Sequence, residues 1–283
     1  MGPQEEQIRE QQKQSWNKFS PGWKKWDKFN MQFLKPMGDA IVHHLKIRPD
    51  DDVLDIAAGT GEPGLTIAAL AKNGKVTGTD LAEDMLLIAE ANAKARGLEN
   101  YSTKAADVCE LPFEDASFTA IRCRMGFMFF PDMQLASDEM YRVLKPGGRI
   151  ATSVWGAPDK NFWVASIMGV LKKHIEMPPP VPGAPGMFRC ANPGLMTDIF
   201  AQSGFKNITV EHITGKVDYT NADNYWQNMT DLAAPVIAVM DKADEATKTA
   251  IKNDVYEIIN ANSANGRPLL DFGAIVIYGE KAG

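Results

Sequence analysis

Residues 52–65, Asp-Val-Leu-Asp-Ile-Ala-Ala-Gly-Thr-Gly-Glu-Pro-Gly-Leu, constrain the fold of this chain more than any other stretch. The apolar run Val53–Ala58 reads as a buried strand, Gly59-Thr60-Gly61 cannot extend it, and Leu65–Lys72 reads as a helix. A strand, a glycine turn and a helix N-terminus together make a nucleotide-type site. Glycine lets a ligand approach the backbone closely, and the helix end offers free N–H groups and partial positive charge. Gly59, Gly61 and Gly64 also spell G-x-G-x-x-G, the dinucleotide fingerprint. That pattern alone is weak, so the residues downstream of it must decide the ligand.

Downstream the chain alternates between strands and helices. Val53–Ala57 is the first strand, and Asn73-Gly74 ends the helix after it. Lys75–Thr79 is the second strand, terminating at Asp80, and Glu83–Arg96 is a helix closed by Gly97. Tyr101–Ala106 is the third strand, ending at Asp107, and Phe118–Arg124 is the fourth. A helix over Asp132–Leu144 leads through a sharp Lys145-Pro-Gly-Gly148 turn into a fifth strand, Arg149–Trp155. Such a succession predicts a parallel sheet with ligands beyond the carboxyl ends of its strands.

The flanks are looser. Residues 1–14 read as a polar, frayed helix end, and Ser15–Leu45 as two short helices broken at Ser20-Pro21-Gly22 with a third from Pro36. The aromatics Trp16, Phe19, Trp23, Trp26 and Phe29 recur there at helical spacing, to cover the sheet or to lid a ligand. After Trp155 come a helix over Asn161–His174, a stiff proline loop at Pro178–Gly186, and a helix capped by Asn192. A strand at Phe205–Gly215, helices from Asn221 to Ser263 broken at Pro235, and a last strand at Leu269–Glu280 complete the chain.

Composition narrows the function. The chain has 283 residues, 45% hydrophobic and 23% charged, which suits a globular fold with a full core. A net charge of −6 argues against a polyanion partner. The cluster Lys18, Lys24, Lys25, Lys28 among tryptophans is a candidate nucleic-acid surface, for which a packed amphipathic helix is the preferred reading. Cys109, Cys123 and Cys190 share no metal-ligand spacing, so no metal site is expected, and their small number suits a reducing compartment. With no apolar run long enough for a membrane span and a polar start at Gln4–Gln14, the expected location is cytoplasmic.

Three features weigh against a dinucleotide. Asp55 sits inside the first strand, where burial demands hydrogen-bond partners that organising the glycine loop would supply. Asp80 and Asp107 end two successive strands, one placed for ribose hydroxyls and the other for an exocyclic amine. Finally, Val53-Leu-Asp-Ile-Ala-Ala-Gly-Thr-Gly61, Cys123-Arg-Met-Gly-Phe-Met-Phe-Phe-Pro-Asp132 and Met140-Tyr-Arg-Val-Leu-Lys-Pro-Gly-Gly-Arg149 closely resemble class I S-adenosylmethionine (SAM)-dependent methyltransferases. The resemblance spans about Asp51–Trp155 and is nearest to the group of the ubiquinone/menaquinone C-methyltransferases and related small-molecule enzymes.

That resemblance implies an α/β, Rossmann-like seven-stranded sheet, mostly parallel, with the seventh strand antiparallel between the fifth and sixth. Helices would cover both faces, with helical lid inserts. The expected division is a helical cap at 1–45, a SAM-binding core at 46–155, an insert at 156–191, and the end of the sheet at 192–283 with a helical insert at 216–268. By resemblance the cofactor-binding residues are Asp55, Gly59, Thr60, Gly61, Asp80, Leu81, Met85, Asp107, Val108 and the carbonyl of Cys123. Ala57 stands where the motif often has glycine. Trp23, Arg124, Phe127 and Trp155 are candidates to face the acceptor. The expected function is transfer of a methyl group from SAM to O, N or C of a small, aromatic or quinone-like acceptor, leaving S-adenosylhomocysteine. A non-catalytic SAM-binding protein is the alternative, because none of His43, His44, His174 or His212 falls where a general base would be needed.

Overall fold

The computed structural model describes residues 2–176 and 183–283. Part of the expected proline loop, residues 177–182, lies outside them. Two helices, α1 (Pro3–Lys25) and α2 (Asp27–Leu45), precede the sheet. The breaks expected at Ser20–Gly22 and before Pro36 do not occur; the one boundary is at Trp26. Pro21 removes a backbone donor, which orphans the Asn17 carbonyl four residues back. The Ser20 hydroxyl donates to that carbonyl at 2.9 Å, so α1 continues through the proline.

Then come β1 (Val53–Ile56), α3 (Gly64–Leu70), β2 (Val76–Asp80), α4 (Glu83–Ala95), β3 (Tyr101–Ala105), β4 (Phe118–Arg124), α5 (Met133–Val143) and β5 (Leu144–Trp155). The second half holds α6 (Phe162–His174), α7 (Leu195–Ser203) and β6 (Lys206–Asp218). Helices α8 (Ala222–Leu232), α9 (Ala234–Lys242) and α10 (Glu245–Ala261), a two-residue β7 (Ser263–Ala264) and β8 (Arg267–Glu280) finish the chain. The sheet order is β3-β2-β1-β4-β5-β8-β6, with β8 antiparallel to both neighbours and all other pairs on this path parallel. The seven-stranded expectation holds, the short β7–β8 pairing being an addition at Arg267.

Alternation along the strands supplies both faces. Val53, Ala120 and Ala151 pack with Ile41, Leu65 and Ala89 of α2, α3 and α4, whereas Leu54, Ile121 and Ile150 pack with Met140 and Phe200 of α5 and α7. Other boundaries move. The Lys145–Gly148 segment is a bulge within β5 rather than a sharp turn. Leu144 pairs with Phe118, the register slips, and pairing resumes at Arg149 with Ala120. Gly147, at φ +72°, donates to the carbonyl of Lys281 near the C-terminus. Helix α7 begins after Gly194, at φ +86°, so Asn192 is not its cap. Three helices fill 222–261 instead of two. Pro235 occupies the first turn of α9, where its missing N–H costs nothing, and Asp244 caps α10.

Arg149 locks α2 to the sheet. Its guanidinium donates to the carbonyls of Leu45 and Lys46, which the end of α2 leaves unpaired, and to both oxygens of buried Asp51 at 2.7 and 2.8 Å. Replacing it strands a buried carboxylate. Arg149→Met is expected to lower stability by about 3–5 kcal/mol; urea unfolding that matches the wild type would show the pair to be dispensable.

Candidate active site

The carboxyl ends of β1, β2, β3 and β4 meet at the glycine loop. Ala57, Gly59 and Gly61 have φ of +51°, +56° and +110°, so the chain turns through left-handed backbone three times in five residues. Alanine in that region costs roughly 1–2 kcal/mol, which explains in physical terms why glycine suits position 57. Asp80 sets the loop: one carboxylate oxygen accepts the Gly59 N–H at 3.0 Å and the other the Ala82 N–H at 2.9 Å. An ionised carboxylate has about four acceptor positions, so two remain for ligand hydroxyls. Burial raises the Asp80 pKa, opposed by these N–H groups.

Asp107 ends the next strand differently. One oxygen accepts the Cys109 N–H at 2.8 Å. The other is buried without a hydrogen-bond partner among the described residues, and the nearest charge is Arg9 of α1 at 3.8 Å. The Thr60 hydroxyl is also buried and unpartnered, while the Thr60 carbonyl accepts from Asn92 at 2.9 Å. Met85 and Val108 are buried, and Leu81 is half-buried beside Asp80. The Cys123 carbonyl lies in the β4–β5 ladder and also accepts the Thr152 hydroxyl at 2.8 Å.

Asp55 corrects an expectation. Its carboxylate makes no hydrogen bond to the Gly59–Gly61 turn among the described residues; it forms a fully buried ion pair with Arg122 and accepts from the Tyr101 hydroxyl at 3.4 Å. The reason is register. Asp55 and Arg122 are directly paired on β1 and β4, so both side chains leave the sheet on the α3 side. Burial pushes the Asp55 pKa up to about 6, with Arg122 pulling it back. Arg122 was missed from the sequence, although a cation in an otherwise apolar strand beside one containing Asp55 is the signal that finds it. Gly64 is the third party: a Cβ there would lie 1.9 Å from the Asp55 carboxylate and 3.1 Å from the Tyr101 ring.

The four acceptor candidates separate. Phe127 is completely buried against Phe130 and Phe200, on the α5–α7 side, and is a core residue rather than an acceptor contact. Trp155 is buried between Phe33 and Trp163, with centroids at 5.7 and 5.2 Å. Trp23 lies at the end of α1, 6.1 Å from Trp16, which in turn meets Phe129 at 5.2 Å. Arg124, at the tip of β4, is surrounded by α2 and the glycine-loop exit, touching Met31 Sδ at 3.4 Å.

Helix α1 lies across this edge. Lys13 pairs with Glu83 at 3.1 Å, and Asn17 accepts the Asp84 N–H at 3.1 Å, both at the start of α4. Its far end is held by Asp231 of α8, which binds Lys25 and the Trp26 indole, each at 2.7 Å. Among the described residues no cluster of metal-ligating side chains occurs, and no helix is long and apolar enough to cross a membrane. All three thiols are free and buried, and burial pushes each pKa up to about 12, which keeps them protonated. His44 and His174 are occupied by Glu211 and Asp254 away from this edge.

This arrangement, a mostly parallel sheet with an antiparallel penultimate strand beside a glycine loop, is similar to that of solved methyltransferase-like structures. Residues 53–148 match the family described as "Methyltransferase domain". A demethylmenaquinone methyltransferase of Thermus thermophilus is 42% identical over 109 residues, covering 38% of this chain and 49% of that protein. An uncharacterised protein of Mycobacterium bovis is 39% identical over 169 residues, covering 51% of this chain and 61% of its own length. The chain thus spans only half to three fifths of these relatives. The fold extends further: the crystal structure of the YcgJ protein of Bacillus subtilis aligns with a TM-score of 0.57 over 87% of this chain and 98% of that one, at 20% identity.

The crowding at Gly64 gives a direct test. Gly64→Ala must displace Asp55 or α3, and is expected to cost about 1–3 kcal/mol as an overpacked core position. Unchanged thermal stability would mean that Asp55 swings aside freely.

Proposed function

We propose that the protein is a SAM-dependent methyltransferase that moves a methyl group to O, N or C of a small-molecule acceptor. The observation that carries this reading is the pair of acids at the strand ends. Asp80 holds the glycine loop and keeps two acceptor positions for ribose hydroxyls, while Asp107 presents a buried oxygen with no hydrogen-bond partner. A buried acceptor without a donor costs about 1–3 kcal/mol, and the adenine amine is a donor of the right kind. Glycine-loop backbone, with Thr60, would hold the amino-acid end.

SAM supplies a methyl group already activated on a sulfonium, so no residue of this chain needs to activate it. The chain's task is to bind, align and keep water out. Alignment of reactants can contribute up to about 7–11 kcal/mol. Helix α1, held at both ends of the edge by Lys13, Asn17 and Lys25, would roof the donor. The buried aromatics Phe33, Trp155 and Trp163 would exclude water on the acceptor side. A quinone-like acceptor is favoured by the likeness to the Thermus enzyme, and a cytoplasmic location by the sparse, free cysteines.

Calorimetry should detect SAM and S-adenosylhomocysteine (SAH) but not NAD, and labelled SAM should pass its methyl group to an extractable metabolite. Binding without transfer across a broad panel would favour a non-catalytic SAM-binding protein. Asp80→Ala is expected to weaken SAH binding by about tenfold or more. The pH dependence has a definite sign. The ribose needs the carboxylate form, and burial raises the Asp80 pKa, so SAH affinity should fall on acidification sooner than an exposed aspartate would dictate. A flat profile in the wild type, with folding intact by circular dichroism, would remove Asp80 from the site.

A further inference from the structure

Arg124 is a half-buried cation that makes no ion pair among the described residues. It ends β4 against α2. Its one hydrogen-bond contact is the weak acceptor Met31 Sδ at 3.4 Å. A Cβ on Gly38 of α2 would lie 3.8 Å from its Nη1 and 3.4 Å from Pro63, so the guanidinium stands at the exit of the glycine loop. Burial, and then the charge of Arg122, pull its pKa down to about 10, and it remains charged at neutral pH.

Its surroundings are polar and equally unpaired. Ser153, next to Arg124 in the β4–β5 register, is wholly buried with no partner for its hydroxyl. On α2, the helix that touches Arg124, Asp27 Oδ1 and the Asn30 amide nitrogen are buried and unpartnered, Asn30 being 4% exposed. Glu62, Asp55 and Asp27 act on Arg124 through their charge without pairing with it. Native interiors leave few such groups unsatisfied, and several at one strand end mark a place where a ligand supplies the partners. An apolar acceptor would supply none.

We propose that Arg124 is a carboxylate-binding residue of this site. The planar guanidinium matches a carboxylate in two parallel hydrogen bonds. Two ligands of the proposed reaction can bring that group: the methionyl end of the donor, or an acceptor that is itself an organic acid. The inference rests on the methyltransferase reading above.

The test uses the full chain and two donor-site probes, SAH and 5′-methylthioadenosine, which lacks the amino-acid end. If the donor is the source, Arg124→Met weakens SAH by about tenfold or more while leaving methylthioadenosine within about twofold. If the acceptor is the source, SAH affinity is unchanged. SAH-loaded wild type is then stabilised by benzoate or 4-hydroxybenzoate but not by benzamide or 4-hydroxybenzamide, and Arg124→Met loses that preference. Either result supports the assignment, and Arg124→Lys should recover part of the binding by restoring the charge. The proposal is overturned if Arg124→Met binds SAH as the wild type does and the SAH-loaded wild type shows no carboxylate-over-amide preference. Should Arg124→Met not fold, wild-type affinities for SAH and methylthioadenosine within about twofold, with no acid preference, overturn it equally. Failure of the wild type to bind either probe would instead count against the methyltransferase reading itself.

Discussion

The ion pair between Asp55 and Arg122 lies at the centre of the sheet, and the ligand edge is levelled by it. Both groups are fully buried, on neighbouring strands and at the same register position. A slip of one residue between β1 and β4 would turn one charge to the opposite face and leave both without a partner, at a cost of several kcal/mol. The pair need not add net stability, since apolar pairs of similar volume often do as well. Its use is to forbid the alternatives. With that register fixed, the glycine loop after Ile56 and Arg124 at the end of β4 come out side by side.

Three aspartates, one inside β1 and two at the ends of β2 and β3, then diverge because their surroundings differ. Asp55 is spent within the core. Asp80 is spent on backbone, two N–H groups of the loop it shapes, and keeps acceptor capacity outward. Asp107 is half spent, with one oxygen on its own turn and the other open. Their chain positions look similar, yet one carboxylate is used up inside the platform and two keep acceptor oxygens at its edge.

Most of the fold was legible in the sequence because it follows from short-range pattern. Alternating apolar runs, glycine stops and acidic strand ends gave the strands, and the family resemblance implied their order in the sheet. The illegible part depended on partners far away in the chain. Pro21 reads as a break unless one knows that Ser20 takes over the Asn17 carbonyl. Asp55 reads as a loop organiser unless Arg122, 67 residues on, is seen to be in register with it. Phe127, as an aromatic after β4, reads as a core residue or an acceptor contact, and a turn of 3₁₀ helix sets it in the core against Phe200. Local signals fix where a segment lies, and packing decides which way it faces.

The α1–α2 pair shows how those levels combine. Its aromatics are spaced as any buried helix face would be, which left covering the sheet and roofing a ligand equally open. In the structure they cover the sheet. Phe33 packs on Trp155 and Trp163 of the body, while Asn30 and Asp27, one and two turns earlier, reach the same edge with polar atoms that the protein does not satisfy. An apolar stripe that turns polar over the carboxyl ends of a sheet cannot be explained by stability, because burying such groups unpaired costs free energy. It is explained if the end of the stripe is built for something that enters from outside. Helix α1, whose end pairs with α8 and whose middle pairs with α4, spans the interval between them, so the helical insert and the sheet share one roof.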